Sequence, residues 1–258
     1  MPPQHTRFAG PSAVVAAMHE ELAAVLALMP DEHKTVVAGR TYWRGHLHGH
    51  EVVAVLSRVG KVAAATTATA LIERFGVRQV LFTGVAGGLA PGVRVGDVVV
   101  AQSFLQHDLD ASPLFPKYEV PLLGLSQFAT DPALTQALAR AAAEVLADPV
   151  AALGAQTVAE LGLQAPRLHR GLVISGDRFV ATTAESRALQ AALPQALAVE
   201  MEGAAIAQVC HDYGVPFAAV RTISDRADDA AHGDFVRFIR DVASHYSAAI
   251  VRNLLFAQ

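Results

Sequence analysis

Acidic residues in this 258-residue chain recur at one kind of place: just after a short run of small or β-branched apolar residues, where a strand would end. Glu20 and Glu21 follow AVVAA (13–17), Asp177 follows GLVIS (171–175), Glu200 and Glu202 close ALAVEME (196–202), and Asp225 closes AAVRTISD (218–225). A carboxyl group in a water-poor crevice is costly unless it is paired or employed, and displaced carboxyl groups are the raw material of proton transfer. A glycine cluster, Gly84-Val85-Ala86-Gly87-Gly88, follows another such run. No His/Cys cluster with ligand spacing and no Gly-x-x-x-x-Gly-Lys phosphate loop accompanies them.

Each of these residues also has a purely structural reading. Glu20 and Glu21 open a helix, where a carboxylate meets the positive end of the dipole. The glycines can form a tight turn. Glu200 and Glu202 can be solvated at a helix entry, Asp177 can pair with Arg178, and Asp225 can cap a helix or pair with Arg221 or Arg226. Cys210 lies in an apolar helix and reads as a packed core residue. His46, His48 and His50 alternate and would share a strand face; an exposed hairpin explains them as well as a metal site does.

The elements that must position these side chains follow from hydrophobic periodicity. Strands are expected at 13–17, 52–56, 79–83, 97–102, 171–175, 196–200 and 216–222. Helices are expected at 18–29, 61–75, 131–147, 183–193, 203–213 and 235–254, with Gly76 as a left-handed cap and Asp131-Pro132 as a helix start. Continuous apolar strands separated by helices predict a single-domain α/β fold: a twisted, largely parallel mixed β-sheet with helices on both faces. In such sheets the ligand crevice lies beyond the carboxyl ends of the strands, where the acidic residues fall. The stretch 103–129 is long, Pro-interrupted and apolar, as a lid or an interface element would be. Residues 1–12 are expected to be disordered and 13–258 to form one domain.

Composition narrows the classes. Hydrophobic residues make up 52% of the chain and charged residues 17%, which excludes a disordered polar chain. The net charge of −4 and the lack of basic runs argue against nucleic acid or an anionic membrane surface as a partner. A single cysteine excludes an intrachain disulfide and a Cys-based zinc site. No apolar run reaches the roughly 18 residues of a membrane span, and MPPQHTRFAG has no signal pattern, so a cytoplasmic protein is the expectation.

Taken together and in this order, the residues resemble the 5'-methylthioadenosine/S-adenosylhomocysteine nucleosidases of the nucleoside phosphorylase superfamily. The resemblance rests on AMHEE (17–21), RVGKVAAA (58–65), TGVAGGLAPGVRVGDVVVA (83–101), HDLDASPLFP (107–116), GLVISGDRFV (171–180) and AVEMEGAAIAQVCHDYGVPFAAVRTISDRAD (198–228). It implies a nucleoside phosphorylase-like fold and hydrolysis of the N-glycosidic bond between adenine and a 5'-thio-substituted ribose through an oxocarbenium-like transition state. On that basis Asp225 is the general acid toward N7 of adenine, with Ser224 supporting it. Glu21 is the general base on the attacking water, which Arg221 helps to fix. Glu202 takes the ribose hydroxyls, Glu200 supports it, and Met201 packs on the ribose. Phe179 stacks on the base, Val180 offers it backbone hydrogen bonds, and Gly87 contributes a backbone contact. Val59 and Phe235 line the 5' pocket, and the segment around His107 to Pro116 reaches a partner subunit, implying a homodimer. No metal or cofactor is implied.

Two departures stand out: Val85 where the family often has Ser, and Ala16 where it usually has Gly, which would narrow the pocket floor. A phosphorylase, a hydrolase of another nucleoside such as futalosine, and a non-catalytic nucleoside-binding protein are the competing readings. Glu21 on the nucleophile's side disfavours phosphate, and the trio of Glu21, Glu202 and Asp225 disfavours simple binding.

Overall fold

Valines 14 and 15 show how the sheet is built. Adjacent in sequence, they point to opposite faces and both are fully buried, so strand β1 (Ser12–Ala16) needs a helix layer on each side. The computed structural model describes residues 10–163, 165–227 and 238–256; the N-terminal nine residues and Phe235 lie outside them. After β1 come α1 (His19–Leu26), β2 (His33–Val37), β3 (Arg40–Leu47), β4 (His50–Leu56), α2 (Lys61–Phe75), β5 (Gln79–Phe82) and β6 (Val85–Gly88). The middle of the chain forms β7 (Val98–Gln106), β8 (Gln127–Ala129), α3 (Pro132–Ala147), α4 (Pro149–Leu153) and α5 (Ala155–Glu160). Next are β9 (Leu168–Ser175), α6 (Thr183–Ala192), β10 (Ala196–Glu200), α7 (Gly203–Tyr213) and β11 (Phe217–Asp225). A π-helical turn (Ile239–Ala243) then leads into α8 (Ser244–Phe256).

The eleven strands run in the order β2-β3-β4-β1-β5-β11-β6-β10-β9-β7-β8. Pairing is parallel through β4-β1-β5-β11-β6 and at β10-β9 and β9-β7, and antiparallel in the β2-β3-β4 meander and at β6-β10, β7-β8 and β7-β11. The β7-β11 pairing has a consequence that periodicity did not show: β11, β6, β10, β9 and β7 close into a small barrel. Strand β11 makes this closure by changing neighbours. Its first residues pair with β5, its last with β6, and Val220 to Thr222 with β7, with a register shift between Ile223 and Asp225. Helices α1, α3 and α8 pack on one face, through Leu22, Leu138 and Ile250, and α2 and α7 on the other, through Leu71 and Ile206.

Helix ends follow the sequence signals. Asp131 accepts from Leu134 N at 2.8 Å with Pro132 behind it, and Gly76 closes α2 at φ +59°. The expected loop 103–129 is shorter than periodicity suggested: β7 runs on to Gln106, and Gln127–Ala129 pairs back on it, leaving 107–126 irregular. Leu114 and Leu122 are 84% and 93% exposed there. Ala16 is fully buried in the core rather than on the cleft floor. Nor do the three histidines share a strand face. His46 is on β3, bonded to Asp31 at 2.7 Å; His48 is in the turn, against Phe256; His50 is on β4. Cys210 is buried in α7.

Candidate active site

The carboxyl ends of β1, β9, β10 and β11, with the turn after β4 and strand β6, converge on one cleft. Glu21 enters it from the first turn of α1. Its Oε2 accepts the N–H groups of Ala17 and Met18 at 2.9 and 2.8 Å, closing the open end of the helix. Its Oε1 reaches across to accept from Val85 N at 3.0 Å. The helix-start reading of Glu21 is therefore correct and incomplete. Gly84 makes the crossing feasible, because a Cβ there would come within 2.6 Å of Glu21 Oε1. Where a Ser would have offered a hydroxyl, Val85 offers its backbone. Burial pushes the Glu21 carboxyl up, against the Arg221 charge and the three N–H donors.

Glu200, at the end of β10, is committed to the scaffold. It accepts from Ser175 Oγ, from Gly203 N at the start of α7, from Glu202 N, and from Arg221 Nη2 at 2.9 Å. Arg221 is 1% exposed and lies 3.6 Å over the Phe82 ring. It backs the cleft rather than lining it, and its buried Nε has no hydrogen-bond partner among the described residues. Two residues on, Glu202 accepts from Gly60 N at 2.7 Å. Burial, and then the neighbouring Glu200 charge, push its carboxyl up to about 8.

Asp225, at the end of β11, is 8% exposed. Ser224 Oγ donates to its Oδ2 at 2.7 Å and Ala227 N to its Oδ1 at 2.7 Å. Gly87 lies directly against it: a Cβ there would sit 3.0 Å from Asp225 Oδ1. The apolar wall comes from Met18, Val59, Phe179, Val180 and Met201, with Phe179 and Val59 41% and 54% exposed in the single chain.

Glu21, Val59, Gly87, Phe179, Val180, Glu200, Met201, Glu202, Ser224 and Asp225 thus share one cleft, with Arg221 behind it; Phe235 lies outside the described residues. Sequence reasoning missed Gly60, whose N–H serves Glu202, and Ser175, whose hydroxyl serves Glu200 and Ala204 N. Both had a weak signal: Gly60 precedes a helix in RVGKVAAA, and Ser175 ends a strand. Among the described residues no group of three His, Cys, Asp or Glu is placed to hold a metal ion.

A partly closed α/β sheet with buried carboxyls at its strand ends and an aromatic wall defines the class. The model of the phosphorylase superfamily matches residues 11–255. The 5'-methylthioadenosine/S-adenosylhomocysteine nucleosidase of Shewanella denitrificans is 35% identical over 94% of this chain and 97% of its own length. The Neisseria meningitidis nucleosidase of the same name, solved with methylthio-immucillin-A, superposes with a TM-score of 0.83 at 33% identity, covering 97% of this chain and 100% of that one. The futalosine hydrolase of Helicobacter pylori strain 26695 superposes at 0.81 with 31% identity, covering 96% and 98%. Within the superfamily, the chain belongs to the 5'-methylthioadenosine/S-adenosylhomocysteine nucleosidase family.

Proposed function

We propose that this protein hydrolyses the N-glycosidic bond of 5'-methylthioadenosine and S-adenosylhomocysteine, releasing adenine and a 5-thio-substituted ribose. The observation that carries the reading is the arrival of three buried carboxyls, each with different partners, in one apolar-walled cleft. Bond cleavage needs a proton for the leaving base, a deprotonated water and a stabilised cationic sugar. Asp225, oriented by Ser224, gives its proton to N7, so that adenine leaves neutral. Glu21, held by three backbone N–H groups and raised by burial, takes the proton from water. Arg221, whose charge acts on Glu21 from behind the cleft, helps to fix that water. Glu202 accepts the ribose hydroxyls, and its ionised form favours the positive sugar. Phe179 stacks on the base, Val180 bonds its edge through the backbone, Gly87 allows close approach, Met201 packs on the ribose, and Val59 lines the 5' pocket.

The half-open wall at Val59 and Phe179 and the exposed leucines of 107–126 fit a homodimer in which the His107 to Pro116 segment of one copy completes the other's 5' pocket. The reading extends to a cytoplasmic enzyme of methionine salvage that needs neither metal nor cofactor. A second reading, futalosine hydrolysis, is supported by the futalosine hydrolase that superposes at a TM-score of 0.81. Incubation with each nucleoside separates them: adenine should appear rapidly from methylthioadenosine and S-adenosylhomocysteine. Hypoxanthine from futalosine, with no adenine from the other two, would overturn the primary reading.

A further inference from the structure

Three charged side chains outside the catalytic trio form a closed circuit next to the cleft-lining residues Val59 and Arg178. Lys61 is the first residue of α2, Asp108 sits in the turn after β7, and Asp177 follows β9. Lys61 Nζ donates to Asp108 Oδ1 at 2.6 Å and lies 3.9 Å from Asp177 Oδ2. Asp177 N donates to Asp108 Oδ2 at 2.8 Å, and Lys61 N donates to Asp177 Oδ1 at 2.7 Å. The Lys61 side chain is only 16% exposed, so this is a partly desolvated pair rather than a loose surface contact. Burial pushes the Asp108 carboxyl up, but the bonds from Lys61 and Asp177 N hold it below its usual range.

The circuit has a specific mechanical output. Gly60, at the N-terminal end of α2, gives that helix no side-chain cap; Asp177 supplies one from 116 residues away. Gly60 sits at φ +96°, where a Cβ would lie 3.2 Å from Asp177 Oδ1, and the bond from Lys61 N to Asp177 Oδ1 fixes the peptide that follows it. The Gly60 N–H in that orientation points at Glu202. Asp177 is also two residues from Phe179, and Asp108 lies in the segment proposed to meet a partner copy.

We propose that Lys61, Asp108 and Asp177 are positioning residues that hold the Gly60 N–H on Glu202 and thereby set the grip on the sugar hydroxyls, in register with the His107 to Pro116 segment. The proposal rests on the reading of Glu202 as the ribose carboxylate. Among the described residues, the charges facing Glu202 are Glu200 and Glu21, which raise its pKa, and Arg221, which lowers it; the Gly60 hydrogen bond also lowers it. Ionised Glu202 can accept from both hydroxyls, so kcat/KM should rise with pH as Glu202 loses its proton.

The test is kcat and KM for 5'-methylthioadenosine from about pH 6 to about pH 9.5 in Lys61→Met, Lys61→Arg, Asp108→Asn and Glu202→Gln. Lys61→Met should lower kcat/KM by about ten- to a hundredfold, mainly through KM, as displacement of a binding group does. It should also move the rising limb to higher pH, because Glu202 loses a donor to its ionised form. Lys61→Arg should restore both. Asp108→Asn, which keeps shape and breaks the ion pair, should shift the limb the same way and serves if Lys61→Met does not fold. Glu202→Gln should abolish the limb. If it does so while Lys61→Met and Asp108→Asn keep the wild-type KM and limb, the positioning role is wrong. If the limb survives in Glu202→Gln, the ribose role of Glu202 falls and takes this proposal with it.

Discussion

Two regions of the molecule are rich in titratable side chains, and they behave differently. The cleft and the wall behind it gather Glu21 from α1, Glu200 from β10, Glu202 from the turn into α7, and Arg221 and Asp225 from β11, all buried, each carboxyl with its own donors. The β3-β4 hairpin carries His46, His48 and His50 within five residues, yet His46 is tied to Asp31 in the open and His48 lies on Phe256. Local density of reactive residue types is cheap. Desolvated convergence of residues distant in sequence is costly, and persists where the groups are used.

The sharpest way to break the contrast is Asp225→Asn, which keeps the shape and removes the transferable proton. Turnover should fall by about 10²–10⁴-fold with little change in KM. Glu21→Gln should lose a similar factor while still binding methylthioadenosine, because its partner is the water; equilibrium binding alongside single-turnover rates would show both. Glu202→Gln should weaken binding and turnover together, since its hydroxyl contacts precede and accompany the reaction.

A smaller effect sharpens the electrostatic half of the comparison. Glu202 is ordinarily ionised above about pH 4.5 in the unfolded chain but holds its proton up to about pH 8 when folded. The unfolded state therefore binds fewer protons between those values, and stability of the ligand-free protein should decline as pH rises through that window. Glu21, also raised, adds to the slope in the same direction. Thermal melts across the window should show the decline, flattened in Glu202→Gln. At the bottom of the scale, His46→Ala combined with His48→Ala should leave turnover within about twofold, as exposed substitutions do, and chelator treatment should do the same. A large, metal-reversible loss would erase the distinction between the two regions.

How much of this was legible in the sequence depended on the reach of each signal. Helices α2 and α7 and strand β10 stand where periodicity put them, since their apolar faces are complete and the helices end on local left-handed glycines, Gly76 and Gly214. Strand β2, sequence HKTVV, was not foreseen because it is almost wholly exposed and carries no buried face to read. The short helices α4 and α5 bury little and left as little trace. Barrel closure depends on β11 changing partners at register shifts, which no local pattern encodes. In the site, strand-end carboxylates marked the right places, but their division of labour came from contacts at long range. Glu200 is distinguished from Glu202 by Arg221 and Ser175, and Glu202 by a glycine 142 residues away.

The central claim is that the cleft activates water rather than phosphate. Purified protein and 5'-methylthioadenosine in phosphate-free buffer test it directly, with both products identified by mass. The account predicts full turnover to adenine and free 5-methylthioribose, unchanged when phosphate is added. Turnover only when phosphate is added, with ribose 1-phosphate as the sugar product, would contradict it.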